Sequence, residues 1–452
     1  MAEAESTRQM IDVPEEALTP REIRLERAAV VLRWGAIVNG VLVGLLLVAG
    51  LLGGLRVFPD LFTNLQGLLL GRAVLAGDAS LAVVIFLTLV DISLLLVLMV
   101  GVLAREIWTL PAIWLVAAVN GLAAALLGFL PALITIAAAA GCWVVIMRDM
   151  SAFRVNPVML KELRGRMRGV RAFIVLTIYL GLMSAFTILL YLVFTTSTIQ
   201  ATGSSAVGAI GRVLFGGLVG IELLLIIFIA PAFTAGAITG ERERQTYDLL
   251  RTTLLASPSF VIGKLESALG FILLLLFSAI PLQSIAFLFG GVTELELVLS
   301  FVILAVTAVT LGTVGIFFSA ITPRTLSASV RSYTVALAVT FGIPIILSFP
   351  LFNAFVSAAS GFGSGVSSSP LVETIFIYLG LILVSLNPVA TSLVSQQLLA
   401  EKQAIGLWTV TLTSDGSTIP LVSPWISFSV FYLVIATILI VLAVREMRKV
   451  EA

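Results

Sequence analysis

Residues 213–238 read VLFGGLVGIELLLIIFIAPAFTAGAI, an apolar run interrupted by a single charge, Glu222. About 20 apolar residues in helical conformation cross the hydrocarbon core of a bilayer, so this stretch is long enough to span it. Residues 79–104, ASLAVVIFLTLVDISLLLVLMVGVLA, repeat the pattern with Asp91 as the single charge. The chain has 452 residues, 60% of them hydrophobic and 11% charged. Soluble domains carry roughly 25% charged residues, and no soluble chain of this length can hide so much apolar surface from water. The fold class that follows is an all-α membrane protein, a polytopic helical bundle.

Working outward, apolar runs of span length recur at 34–54, 79–104, 109–127, 129–147, 172–194, 213–238, 265–290, 297–321, 334–356 and 425–444. Residues 109–147 are too long for one helix across a core about 30 Å thick. Gly128-Phe129-Leu130-Pro131 is a natural break between two helices. The segment 371–386 is apolar but short, and charge decides its role. With the N-terminus inside and ten spans, the cytoplasmic segments hold all of the 26 Lys and Arg except Arg56, Arg72, Arg212 and Lys402. An eleventh span would expel Arg445, Arg448 and Lys449, against the positive-inside rule. Residues 371–386 are therefore expected to form a re-entrant or interfacial helix on the outer side.

The expected organisation is a polar cytoplasmic tail at 1–27, a four-helix module at 28–147 and a cytoplasmic interfacial helix at 148–171. A six-helix module then fills 172–448 and carries an external region at 357–424. The tail is acidic and unlike a cleavable signal (Glu3, Glu5, Asp12, Glu15, Glu16), and it reads as disordered. The Gly/Ser-rich 359–370 reads as a flexible external link. The net charge of +1 argues against a nucleic-acid footprint. Zero histidines and the lone Cys142 argue against the common metal sites and against an intrachain disulfide. Cys142 lies in an apolar run and reads as a small buried hydrophobe. No catalytic residue, cofactor or metal is expected.

Two polar segments stand out. In NPVMLKELRGRMRGV, residues 156–170, Asn156 suits the N-cap and Pro157 the first helical position. Met159, Leu160, Leu163, Met167 and Val170 recur at helical spacing, with Lys161, Glu162, Arg164, Arg166 and Arg168 between them. Such a basic amphipathic helix lies in the membrane surface, either as a plain anchor or as a lever moved by a cytoplasmic partner. In GERERQTYDLLRTTLLASPS, residues 240–259, Glu241 and Glu243 favour the start of a helix, and Arg244 and Asp248 are spaced to pair. Leu249, Leu250 and Leu254 make an apolar face that needs a cover. A solvated charged loop is the plain reading and a docking knob the functional one.

These two motifs, each followed by a span, together with Leu386-Asn387-Pro388-Val389-Ala390 before the last span, resemble the permeases of the type 2 ABC exporter family over about residues 155–448. The resemblance implies six spans, an interfacial helix, a coupling helix at residues 241–255 and an external helical hairpin. It implies that Glu241, Arg242, Glu243, Arg244, Thr246, Tyr247, Asp248, Leu249 and Leu250 contact a separate ATP-binding cassette subunit. It also implies a second permease copy, in a homo- or heterodimer within the plasma membrane, with both termini cytoplasmic. The first 147 residues have no counterpart in that pattern. Gly263-Lys264 lacks the upstream glycine and the following Ser or Thr of a P-loop, so ATP hydrolysis is expected on the partner rather than on this chain.

Charges inside spans are candidates for function. Asp91 is expected to pair within the four-helix module, with a proton or ligand site as the alternative. Glu222 is expected to make a hydrogen bond across helices. An ion-gradient-driven transporter would use one of them as its coupling carboxylate and predicts inverted repeats that the sequence does not display. A non-transporting scaffold is the third reading. The pairs Gly40/Gly44 and Gly216/Gly220 are candidate close helix contacts.

Overall fold

A computed structural model describes residues 20–54, 79–198, 204–247, 257–342, 370–403, 406–411 and 418–451. Among them, eight helices are long and apolar enough to cross a bilayer, or nine if one bent pair counts as a span. The molecule is a multi-pass helical membrane protein. The link expected at 359–370 lies outside the described residues except for Pro370, as do residues 343–356 of the span expected at 334–356.

Four helices form the first group: α1 (Pro20–Gly54), α2 (Ala79–Ala104), α3 (Thr109–Leu127) and α4 (Ala132–Ile146). Leu25, Ala28, Ala29, Leu32 and Ala36 repeat at three- and four-residue spacing and bury one stripe of α1 against Leu95, Leu98, Ala139 and Cys142. Cys142 is the small buried hydrophobe that its apolar surroundings implied. Residues 20–27, assigned to the tail on composition, are the first two turns of α1. Arg24 anchors them by donating twice to Asp149, at 2.6 and 3.0 Å. Asp149 sits in a 3-10 turn at Met147–Ala152. The break between α3 and α4 falls at Gly128, whose φ of 64° is a left-handed cap that a side chain would strain.

The remaining elements gather around a buried centre. After α5 (Pro157–Met167) come α6 (Val170–Thr198), α7 (Ser204–Thr234), the short α8 (Thr239–Glu243), α9 (Ser257–Leu288) and α10 (Glu294–Ile321). Helix α10 is the axis: 67% of its apolar window is buried, against 17% for α6, which lies at the periphery. Its hydroxyls are neutralised locally, for Thr307 donates to Ile303 O and Thr313 to Val309 O, both at 2.7 Å. Among the described residues Gly40, Gly44 and Gly220 have no neighbour where a Cβ would stand, and Gly216 meets Gln396 Oε1 at 3.7 Å, an ordinary contact.

Helix α11 (Thr325–Leu337) runs into a π-helical turn at Ala338–Gly342. Helices α12 (Pro370–Ser385) and α13 (Pro388–Lys402) follow, then strands β1 (Leu407–Thr411) and β2 (Thr418–Val422), and α14 (Pro424–Glu451). The strands pair antiparallel, with Trp408 opposite Leu421, and β2 packs on α2. This hairpin was not foreseen in a region expected to be helical.

The apolar part of α12, Ile377–Ser385, and α13 meet at a bend of 117°. Asn387 holds the corner. Its side chain accepts from Ala390 N at 2.9 Å, capping α13, and donates to Val339 O and Thr340 O at 2.9 and 2.8 Å. Those carbonyls belong to the π turn, where wider hydrogen bonding distorts the ordinary ladder. Tyr432 of α14 donates to Leu386 O at 2.9 Å. Asn387→Ala is expected to lower stability by about 1–3 kcal/mol, the range for losing a cap and leaving buried carbonyls unpaired. Asn387→Ser restores the cap alone and should recover part of that loss. Thermal unfolding in detergent checks this; a serine variant as stable as the wild type would mean that the donation to the π turn contributes nothing.

Candidate functional site: a buried lysine where two polar segments meet

Helix α5 exists because Asn156 accepts from Val158 N at 3.0 Å and Pro157 presets the first turn. The expected division of its faces is only partly right. Lys161, Arg164 and Arg168 are exposed, as a basic surface requires. Glu162 and Arg166, one turn apart, point into the bundle instead. Arg166 lies over the Phe233 ring at 5.3 Å and donates to Phe233 O at 3.3 Å. Met167 and Val170 of the apolar repeat stay exposed, while Glu162 and Arg166 turn inward. The reason is the neighbour: α5 packs along α9, and α9 presents a cation.

That cation is Lys264, 4% exposed, about two turns from the start of α9. Its ammonium pairs with Glu162 and sits 2.9 Å from Glu241 Oε1. Ser267 donates to the other oxygen of Glu162 at 3.0 Å, and Arg166 stands 3.7 Å from the same carboxylate. A buried ammonium without such partners costs several kcal/mol. Burial of Lys264 therefore requires both acids to be present, one from α5 and one from α8.

Helix α8 continues the line of α7 and then stops. A continuous helix from Glu241 onward was expected; the described part ends at Glu243, and Gln245 adopts a φ of 58°. The turn folds the chain back, so that Thr246 donates to Glu241 while Tyr247 buries against Phe260 at 6.3 Å. Arg242 lies over the Tyr247 ring at 5.4 Å and donates to Thr322 O at 3.3 Å. Glu243 accepts from Thr325 N at 2.7 Å, which holds the start of α11. Ser319 of α10 accepts from Ile238 N and Thr239 N at 2.9 and 3.0 Å. Arg244 is exposed. Asp248, Leu249, Leu250 and Leu254 lie outside the described residues.

A second junction lies beside the first. Gly263, next to Lys264, packs on Asn156: a Cβ there would stand 2.6 Å from Asn156 Oδ1. Asn156 Nδ2 donates to Glu106 Oε1 at 2.7 Å and to Ser259 O at 2.6 Å. Trp108 Nε1 donates to Glu266 Oε1 at 3.1 Å. Glu106 and Trp108 belong to the α2–α3 connection, so the first helix group is fastened to the same end of α9. Burial pushes the Glu106 carboxyl above the usual carboxylate range, and the Asn156 donor partly offsets this.

The intramembrane acids are elsewhere. Asp91 is buried among α1–α4 beside Thr135 and Asn120, with Asn39 donating to Thr135 at 3.1 Å, and its Oδ2 has no hydrogen-bond partner. Each of the four helices thus supplies one member of that cluster. Glu222 of α7 accepts from Gln283 of α9 at 2.6 Å, and its other oxygen has no partner. Neither acid touches the Lys264 site. Sequence reading met Lys264, Glu106, Trp108 and Ser259 without singling them out as site residues. A lone Lys beside the charged segment was the available signal, but its burial depends on packing between remote segments.

Comparison with known protein families, with curated proteins and with solved structures found no match.

Two outcomes test this geometry. Glu162→Gln with Glu241→Gln leaves a buried unpaired ammonium and should cost about 3–5 kcal/mol. Lys264→Met should cost less, because the half-buried acids can hydrate, and the neutral triple variant should be close to wild type. Chemical unfolding in detergent checks the order; equal losses for the acid pair and for Lys264→Met would contradict it. The second concerns pH. With its folded-state value raised, Glu106 contributes its full share below the usual carboxylate range and loses it as pH rises through the raised value. Wild-type stability should therefore fall as pH rises above the usual carboxylate range. Glu106→Gln keeps the Asn156 hydrogen bond and should make the slope shallower by the share of this one carboxyl. Melting temperatures over that rise in pH decide, and parallel curves would contradict the assignment.

Proposed function

We propose that this chain is the membrane subunit of an ATP-driven transporter of the type 2 ABC exporter kind, with ATP hydrolysed by a separate cassette subunit. The observation that carries the reading is the convergence of α5 and α8 on one buried lysine. The two segments proposed to meet the partner are thereby tied to the same point of α9. A push on either one moves that end of α9, and rigid-body tilting of packed helices follows. The Asn156–Glu106 and Trp108–Glu266 contacts pass the displacement to α2 and α3, so the four-helix module moves with the gate.

In this reading the chain has ten spans, four and then six, in the plasma membrane. Both termini and the Lys264 end are cytoplasmic, because that end carries most of the Lys and Arg. The bent pair α12–α13 is the re-entrant hairpin on the outer side, and a second permease copy completes the path. Glu222 supports a second reading. A buried carboxylate with a single donor and an unpartnered oxygen suits a proton-coupled transporter.

The experiment is to purify the tagged chain from its native membrane. An ATP-binding subunit should accompany it. Exchanging the exposed Arg244 for Glu should leave the chain folded and reduce stimulated ATPase activity at least tenfold. Recovery of the chain without an ATPase, or full activity after the exchange, would contradict the proposal. Gradient-driven uptake that needs no ATP and disappears in Glu222→Gln would establish the second reading.

A further inference from the structure

A cavity of about 530 Å³ opens between α1, α2, α9 and α14, along the seam that joins the first helix group to the rest. Its walls are apolar, formed by Val30, Met99, Ile262 and Val441 among others. Its rim is not: Arg33 of α1 and Arg445 and Arg448 of α14 line the same cavity, with Glu26 as the lone acid. Among the described residues, none of these three guanidinium groups makes an ion pair. At this end of the molecule Arg24 is matched by Asp149, Arg105 by Glu22 and Lys264 by Glu162 and Glu241; Lys161, Arg164, Arg168 and Arg244 form no ion pair among the described residues but lie away from this cavity's lining. Three unmatched cations around an apolar cleft call for a ligand that is anionic at one end and apolar at the other.

We propose that this cavity binds one anionic phospholipid, its acyl chain between α2, α9 and α14 and its phosphate on Arg33, Arg445 and Arg448. The cavity volume is within the range of small-molecule sites. Basic pockets between spans are suited to acidic headgroups, and an acyl chain gains by leaving water for the apolar wall. A free phosphate would leave the wall empty, and a zwitterionic lipid would leave the net positive rim unmatched. The bound lipid would act as a wedge of fixed shape between α1–α2 and α9–α14. The assignment stands independently of what the transporter moves or what drives it.

The test uses the full chain, delipidated in detergent, with phosphatidylglycerol and phosphatidylcholine of identical acyl chains. Native mass spectrometry should show one phosphatidylglycerol retained per chain, and the melting temperature should rise with it but not with phosphatidylcholine. Each basic side chain near an anionic surface contributes on the order of fivefold in affinity, so Arg33→Gln/Arg445→Gln/Arg448→Gln should lose about 100-fold. Val441→Trp fills the cavity while keeping every arginine, and should also abolish retention. Melting temperatures of the lipid-free variants confirm that they are folded, and the comparison of the two lipids on the wild-type chain needs no variant. Equal stabilisation by phosphatidylcholine, equal stabilisation by inorganic phosphate, or full retention by the triple variant would each overturn the proposal.

Discussion

Burying one ammonium constrains this end of the molecule. Lys264 cannot sit 4% exposed in α9 unless acids reach it. Glu162 reaches it from α5 and Glu241 from α8. Meeting that demand fixes how far α5 lies along α9 and where α7 must stop to let α8 turn in. Glycine at 263 then lets Asn156 close on the same helix. Without the charge, α5 would be held to α9 by the Asn156 hydrogen bonds and by packing alone.

Two Asn-Pro pairs do related work at separate places. In each, the proline opens a helix, the asparagine caps it, and the amide NH2 reaches the backbone of a remote element. Asn156 joins α5 to α9 and to the α2–α3 connection; Asn387 joins α13 to the π turn after α11. Each side chain is buried, so its hydrogen bonds are shielded from competing water and are costly to lose. Mechanically these are stiff ties at helix ends, while the apolar helix faces between them are free to slide.

That the chain is a series of long apolar helices was legible in the sequence because length and hydropathy are local properties; the described residues give eight or nine of span length where ten were expected, and Thr109–Ala125 is a shorter apolar helix. The break at Gly128 and the cap at Asn156 were also legible, since each rests on one or two residues; Asn387 was noted only within the family resemblance, and its cap and the bend beside it were not read. What could not be read locally depended on partners distant in the chain. Glu162 and Arg166 looked like members of a solvated charged face; a lysine about 100 residues away turns them inward. The arrest of α8 at Gln245 follows from burial of Tyr247 against Phe260 and Met447, which no spacing rule reveals. The hairpin of β1 and β2 was missed because its strands are short and lie in a region read for helices. The first two turns of α1 were read as tail because their charges are paired with Asp149, 125 residues away.

The proposed relay through Lys264 predicts that the far end of the bundle responds to the partner only while the charge tie exists. Cys142 is buried, so labels placed at Leu130→Cys and Leu288→Cys, both at exposed sites, report the distance between the turn after α3 and the far end of α9. The most direct measurement is pulsed electron paramagnetic resonance of that pair in the complex co-purified with its ATP-binding subunit, with and without ATP. The account predicts a nucleotide-dependent change in distance in the wild-type background. It predicts none in the folded triple variant Lys264→Met/Glu162→Gln/Glu241→Gln. The same change in both would contradict it.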